Sequence, residues 1–179
     1  MLTEQREQWI KNLKSGVMAF HGNTTAGLTI GREGIDCILP HRPPLALLDR
    51  IVMVDLTRQQ IRTETDIREN DPVFAGHFPG HPIYPGIYQI EMMGQAGLCL
   101  IYFLQNQSAA VEPAQLRVKG LFTRVHHAGF VHPILPCDTV TARAQVIEYD
   151  DFLGLLAVQL CKGDQVCAHS ILEAYLMEP

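Results

Sequence analysis

The 179-residue chain has no CxxC pair, no excess of basic charge, and no apolar run long and unbroken enough to span a membrane. Five cysteines, at 37, 99, 137, 161 and 167, leave one over in any pairing scheme. Reduced thiols are therefore expected, in a cytoplasmic protein, rather than a disulfide framework. A formal net charge of -5 provides no electrostatic footprint for nucleic acid. The N-terminus carries acidic residues and no continuous apolar segment, so no signal peptide is expected. The most apolar stretch, 87–104, is interrupted by Gln89, Glu91 and Gln95, which argues against a membrane span. A hydrophobic content of 47% with 18% charged residues is ordinary for a globular chain, and the length suits one domain with a sizeable core. There is no internal repeat and no linker of the kind that separates domains.

Thr3, a candidate N-cap, opens a stretch in which Trp9, Ile10, Leu13, Val17 and Phe20 recur at helical spacing, predicting a helix over 3–20. Residues 21–34, rich in Gly and Thr, read as a connector. The segment ILPHRPP within 35–45 reads as an extended lead-in, with His41 and Arg42 on an exposed turn. Strands are expected at Leu47–Asp55, Gln60–Ile67, Ala114–Thr123, Thr139–Ile147, Phe152–Cys161 and Gln165–Met177. The last two are joined by a hairpin at Lys162-Gly-Asp164. Ile61, Thr63, Thr65 and Ile67 alternate with Arg62, Glu64 and Asp66, as in a half-buried antiparallel strand. Residues 106–113 read as a loop. The fold class expected from the pattern is α+β, a helix wrapped by antiparallel sheet.

The chain is organised around Gly76–Gln95, GHFPGHPIYPGIYQIEMMGQ. Three Gly and three Pro between Gly76 and Gly86 exclude ordinary helix or central strand there. From Gly86 onward an apolar run predicts a buried helix. Its first N–H groups lack intrahelical partners and carry the positive end of the dipole, so they can polarise a carbonyl oxygen. His77 and Glu91 bracket the turn and are capable of proton transfer. Together they suit proton removal alpha to a carbonyl, coupled to loss or gain of a beta hydroxyl. Spacing alone leaves another reading open, with Glu91 favouring the helix dipole and His77 an ordinary loop residue.

This stretch resembles the signature of the beta-hydroxyacyl-acyl-carrier-protein dehydratases, GHFPG-x-P-hydrophobic-x-PG followed by E-x-M-x-Q. The resemblance extends upstream to Leu39-Pro-His-Arg-Pro-Pro-Leu-Ala-Leu-Leu-Asp-Arg50, and more loosely downstream to Phe130-Val-His-Pro-Ile-Leu-Pro-Cys-Asp138. It covers about residues 35–177, with the three motifs in the family's order. It implies a hot-dog fold, an antiparallel sheet around one long central helix, with residues 35–179 as a single dehydratase domain. Residues 1–34, helix and connector, are then an addition.

The resemblance further implies that His77 and Glu91 are the catalytic pair, drawn from different subunits in one site. The N–H groups of Gly86 and Ile87 would stabilise enolate-like charge on a thioester carbonyl. Phe78, Tyr84, Tyr88 and Gln95 would line the acyl tunnel or orient groups. Glu91 would protonate the leaving hydroxyl, which requires a raised carboxyl pKa, and burial favours that. No metal or redox cofactor is implied; the phosphopantetheine arm belongs to the substrate. The implied partners are an acyl carrier protein and further copies of the chain, as a homodimer or trimer of dimers. A heteromer with another dehydratase-like chain is also open.

Departures concern the carrier. The downstream segment holds Gly129, Val131 and His132 where the family is usually basic, and Cys137 stands in place of Gly. Arg117, Lys119 and Arg124 are the nearby basic residues available to compensate. A dedicated carrier in polyketide, polyene or polyunsaturated-acid synthesis fits as well as that of fatty-acid synthesis. Other candidates read as structural: Asp49 as a pairing or capping residue, Cys99 as a buried small hydrophobe. His126, His127 and His132 read as surface or groove histidines rather than metal ligands. A non-catalytic subunit that binds acyl chains and a hot-dog thioesterase are the rival functions.

Overall fold

A computed structural model describes residues 3–20, 29–111 and 118–177. The elements in order are α1 (Thr3–Ser15), β1 (Ile30–Gly31), α2 (Arg32–Ile38), β2 (Arg50–Asp55) and β3 (Gln60–Asp66). After them come α3 (Gly86–Asn106), β4 (Gly120–Phe130), β5 (Thr139–Tyr149), β6 (Leu153–Lys162) and β7 (Gln165–Leu176). The strands form one seven-stranded sheet in the order β1-β2-β3-β5-β6-β7-β4, every pairing antiparallel.

Alternation sets the sheet's inner face. Ile61, Thr63, Thr65 and Ile67, with Val140, Ala142, Ala144 and Val146, are buried as the period-2 pattern requires. This face curves around α3, whose residues from Met92 to Phe103 are all buried. Gly97 permits the close approach. A Cβ there would meet the Leu156 side chain at 2.5 Å. By length and composition α3 is apolar enough to cross a membrane, but 72% of its most apolar window is buried inside the protein.

β6 is buried on both faces, so its sequence reads as a nearly continuous apolar run rather than an alternating one. The cover on the outer face is α1, which sets Leu13 against Leu155, Ala157 and Ile171, with Trp9 and Ile10 at the margin. The helix stops at Ser15, short of the expected Phe20. Beyond Gly16 the backbone is captured by the sheet. Fully buried Gln159 accepts from Met18 N (2.6 Å) and donates to Leu13 O (2.7 Å) and Gly16 O (2.9 Å). Arg143 donates to Met18 O and lies over the Phe20 ring.

Two other expectations change. α2 begins at Arg32, inside the stretch read as connector and lead-in. It is held by burial of Ile35 and Ile38 rather than by a periodic pattern. The connector's residues 21–28 and the first residues of the expected 114–123 strand lie outside the described ones. β4 starts at Gly120 and continues to Phe130, so His126 and His127 lie on a strand. A bulge between Val125 and His127 aims both at β7, His126 to Glu173 and His127 to His169. The hairpin at 162–165 forms as expected, with Gly163 supplying the positive φ of +56.

Candidate active site

The loop carrying His77 follows a 3₁₀ turn at Pro72–Ala75, capped by the Asp71 side chain, which accepts from Val73 N. His77 N donates back to Val73 O, and Ile83 N donates to His77 O, closing the Pro- and Gly-rich segment into a tight loop. His77 Nδ1 lies 2.8 Å from Ile83 O. A carbonyl oxygen only accepts, so Nδ1 carries the proton and Nε2 holds the basic lone pair. Phe78 stacks on the imidazole, with centroids 4.1 Å apart.

A cleft of about 590 Å³ is lined by His77, Ile83, Tyr84, Gly86, Phe130 and His132, among others. α3 opens directly onto it. Pro85 is the N-cap and no side chain caps this end, so the N–H groups of Gly86 and Ile87 are not taken by a capping side chain. The ring of Phe130 lies where a Cβ on residue 86 would be, with ring atoms 2.9–3.2 Å from that point. A side chain at 86 would have to displace this ring, the far end of the exposed side chain of β4's last residue. Ile87 is 74% exposed beside the cleft. Tyr84 is buried, which pushes its phenol well above the ordinary range, and it meets Tyr88 edge-on at 5.9 Å. An imidazole base beside an uncapped helix N-terminus is equipped to enolise a carbonyl compound.

Glu91 belongs to a different constellation. Among the described residues no hydrogen bond or ion pair joins it to His77. Its Oε1 accepts from Gln95 Nε2 at 2.8 Å and lies 3.3 Å from His41 Nε2. Gln95, 1% exposed, also donates to Leu45 O and accepts from Leu47 N, so it ties the helix to the loop after α2. These bonds overturn one expectation. Burial does push the Glu91 carboxyl upward, but the hydrogen bond from His41 is the larger effect, Gln95 adds to it, and the pKa ends below the ordinary value. His41 itself, read as part of an exposed turn, is half-buried against Glu91. Arg42 does lie on the surface, where it donates to Leu39 O, His41 O and Asp36 O and so folds the loop that aims His41. Sequence reasoning missed His41 and Phe130. Both lie in segments that resemble the dehydratases, which was the available signal.

The remaining candidates are structural. Asp49 pairs with Arg32 and Arg68 and accepts from Asp66 N. Cys99 is fully buried, and burial pushes its thiol up. Cys137 has a φ of +68, a backbone state that explains why the dehydratases carry Gly there. Asp138 pins that turn by accepting from Leu135 N and from Lys162 Nζ. Arg124 on β4 and Lys119 just before it are both exposed, while Arg117 lies outside the described residues.

A sheet wrapped around one helix, with a histidine loop set at that helix's N-terminus, defines a hot-dog protein. The likeness to solved structures agrees in fold. The dehydratase heterocomplex ApeI:P from Xenorhabdus doucetiae matches with a TM-score of 0.64 at 18% identity, over 80% of this chain and 91% of that one. The E. coli PaaI protein from the phenylacetic acid degradation operon matches at 0.55 and 14%, over 80% and 89%. At the level of family, residues 39–170 match the FabA-like domain. The 3-hydroxyacyl-[acyl-carrier-protein] dehydratase FabZ of Campylobacter concisus is 33% identical over 146 residues, 80% of this chain and 95% of that protein. That of Campylobacter hominis is 36% identical over 142 residues, 79% and 93%. The chain belongs to the FabA-like dehydratase family.

Proposed function

We propose that this protein dehydrates (3R)-hydroxyacyl thioesters carried on an acyl carrier protein to trans-2-enoyl thioesters, in fatty-acid or related polyketide synthesis. The observation that carries the reading is the free Nε2 of His77 on the same cleft as the uncapped start of α3. His77 takes the alpha proton while the N–H groups of Gly86 and Ile87 hold the charge that develops on the thioester oxygen. Glu91 of a second chain exchanges a proton with the beta hydroxyl. In dehydration the pair starts as neutral His77 with protonated Glu91 and ends as imidazolium with carboxylate; hydration runs the reverse. One proton stays in the site throughout. The lowered pKa of Glu91 favours the carboxylate form, from which hydration starts.

A second copy is needed because His77 and Glu91 lie in separate constellations of one chain. The surface supports this. Edge strand β4 exposes Leu121 and Val125, and Phe78, Ile87 and Phe130 are exposed around the cleft. The reaction needs no cofactor, since the phosphopantetheine arm belongs to the substrate. All five cysteines are free, in keeping with a cytoplasmic setting.

The test is hydration of crotonyl thioester, on pantetheine and on carrier protein, followed by loss of enoyl absorbance. His77→Ala and Glu91→Gln should each lower kcat about 10²–10⁴-fold while remaining folded and of unchanged size in solution. No activity in the folded wild type, with a second dehydratase-like chain co-purifying, would favour the non-catalytic subunit. Free thiol released from acyl thioester would favour the thioesterase.

A further inference from the structure

The hydrogen bonds around Glu91 are asymmetric. Both donors that reach its carboxyl, His41 Nε2 at 3.3 Å and Gln95 Nε2 at 2.8 Å, converge on Oε1. Neither donor is loose. Gln95 has every polar atom engaged between Leu45 O, Leu47 N and Glu91. His41 sits on a loop whose carbonyls at 36, 39 and 41 are gathered by one guanidinium, that of Arg42. The tautomer of His41 also follows from its surroundings. Its Nδ1 is buried without a hydrogen-bond partner. A proton there would be a buried, unpaired donor, which is costly. In a neutral imidazole the proton therefore belongs on Nε2, the nitrogen that lies 3.3 Å from the carboxylate.

We infer that His41 is a positioning residue for Glu91: with Gln95 it locks Oε1 by donated hydrogen bonds and leaves Oε2 as the oxygen that meets the hydroxyl or water of the substrate. The inference rests on the catalytic reading of Glu91 given above. It assigns the Leu39-Pro-His-Arg segment a function, since Arg42 folds the loop, the loop aims the imidazole, and the imidazole fixes the acid. Loss of the imidazole would free the carboxyl to rotate about its last bond and remove the larger of the two donors that hold it ionised. A misplacement on the order of 1 Å at a reacting group costs about 10²-fold in rate.

The experiment reads Glu91 directly. Protein labelled with ¹³C at the glutamate carboxyl carbons is titrated by NMR, with Glu91→Gln identifying the signal. His41→Leu should move the Glu91 midpoint upward, lower kcat about 10²-fold with little change in KM, and move the acid limb of the hydration profile upward by the same amount. His41→Gln, which retains an N–H donor at the position of Nε2, should return both the midpoint and most of kcat. A Glu91 midpoint unmoved in His41→Leu, or a His41→Gln variant no better than His41→Leu, would overturn the inference. Should His41→Leu not fold, the His41 ¹⁵N signals of the wild type decide. They must shift in step with the Glu91 titration and lose that step in Glu91→Gln, and an unchanged His41 response in Glu91→Gln would refute the contact. Because the titrations need no turnover, failure of the catalytic reading shows separately, as activity that survives Glu91→Gln.

Discussion

Gln159→Leu should detach the N-terminal arm without unfolding the sheet. Gln159 lies on β6 with no exposed surface, and its amide makes all three of its hydrogen bonds to the arm, at Met18 N, Leu13 O and Gly16 O. Leucine keeps the volume and the apolar contacts but satisfies none of the three backbone groups. At about 1 kcal/mol net per hydrogen bond the docked arm loses about 3 kcal/mol, and rather less where water reaches Gly16. What remains is burial of Leu13 and partial burial of Trp9 and Ile10, about 1.5–3 kcal/mol per fully buried side chain, with the Arg143 contacts to Met18 O and Phe20. The arm would then be open for a substantial part of the time. Trypsin reports this directly, because Lys11 and Lys14 lie on the arm. With opening fast relative to cleavage, a loss of about 2–3 kcal/mol raises the cutting rate roughly 30- to 150-fold. The denaturation midpoint of the sheet should shift far less, and crotonyl hydration should be retained. Cleavage within twofold of wild type would refute the assignment of Gln159 as the anchor of the arm.

Two further outcomes follow from single positions. Cys137→Gly should raise stability by about 1 kcal/mol, because a non-glycine residue in the left-handed region costs about 1–2 kcal/mol and this side chain is exposed; a lowered Tm would contradict it. The pH dependence of stability should carry the mark of His169, 1% exposed and stacked on His127, whose pKa burial lowers to about 4. A histidine near 6.5 when unfolded binds more protons in the unfolded state between pH 6.5 and 4, so stability rises with pH across that window. The slope is at most about 1.4 kcal/mol per pH unit inside the window and zero outside it, so this contribution to stability is fully lost below pH 4 and fully present above pH 6.5. The difference between denaturation series at pH 4.5 and 7 should be smaller for His169→Asn than for wild type; an equal difference in both would refute the assignment.

Much of the fold and half of the site were legible in the sequence because they rest on local rules. The alternation at 139–147 marked one buried face, and the Gly-Pro density between 76 and 86 marked the loop. The apolar run after Gly86 marked the central helix, whose start places N–H groups beside His77. Periodicity and turn chemistry are properties of neighbouring residues, and no distant partner is needed to express them.

What only the tertiary structure decided involves residues far apart in sequence. α2 is too short to show a period and exists because Ile35 and Ile38 find the core. The arm ends as a helix at Ser15 because Gln159 and Arg143, from two strands more than a hundred residues on, take up its backbone. The direction of the Glu91 shift could not be read from its helix, where apolar neighbours imply a raised carboxyl. It was reversed by a histidine fifty positions upstream, brought to 3.3 Å by a loop folded around Arg42. Desolvation is foreseeable from composition, but a hydrogen bond depends on which two atoms meet, and only the folded chain settles that.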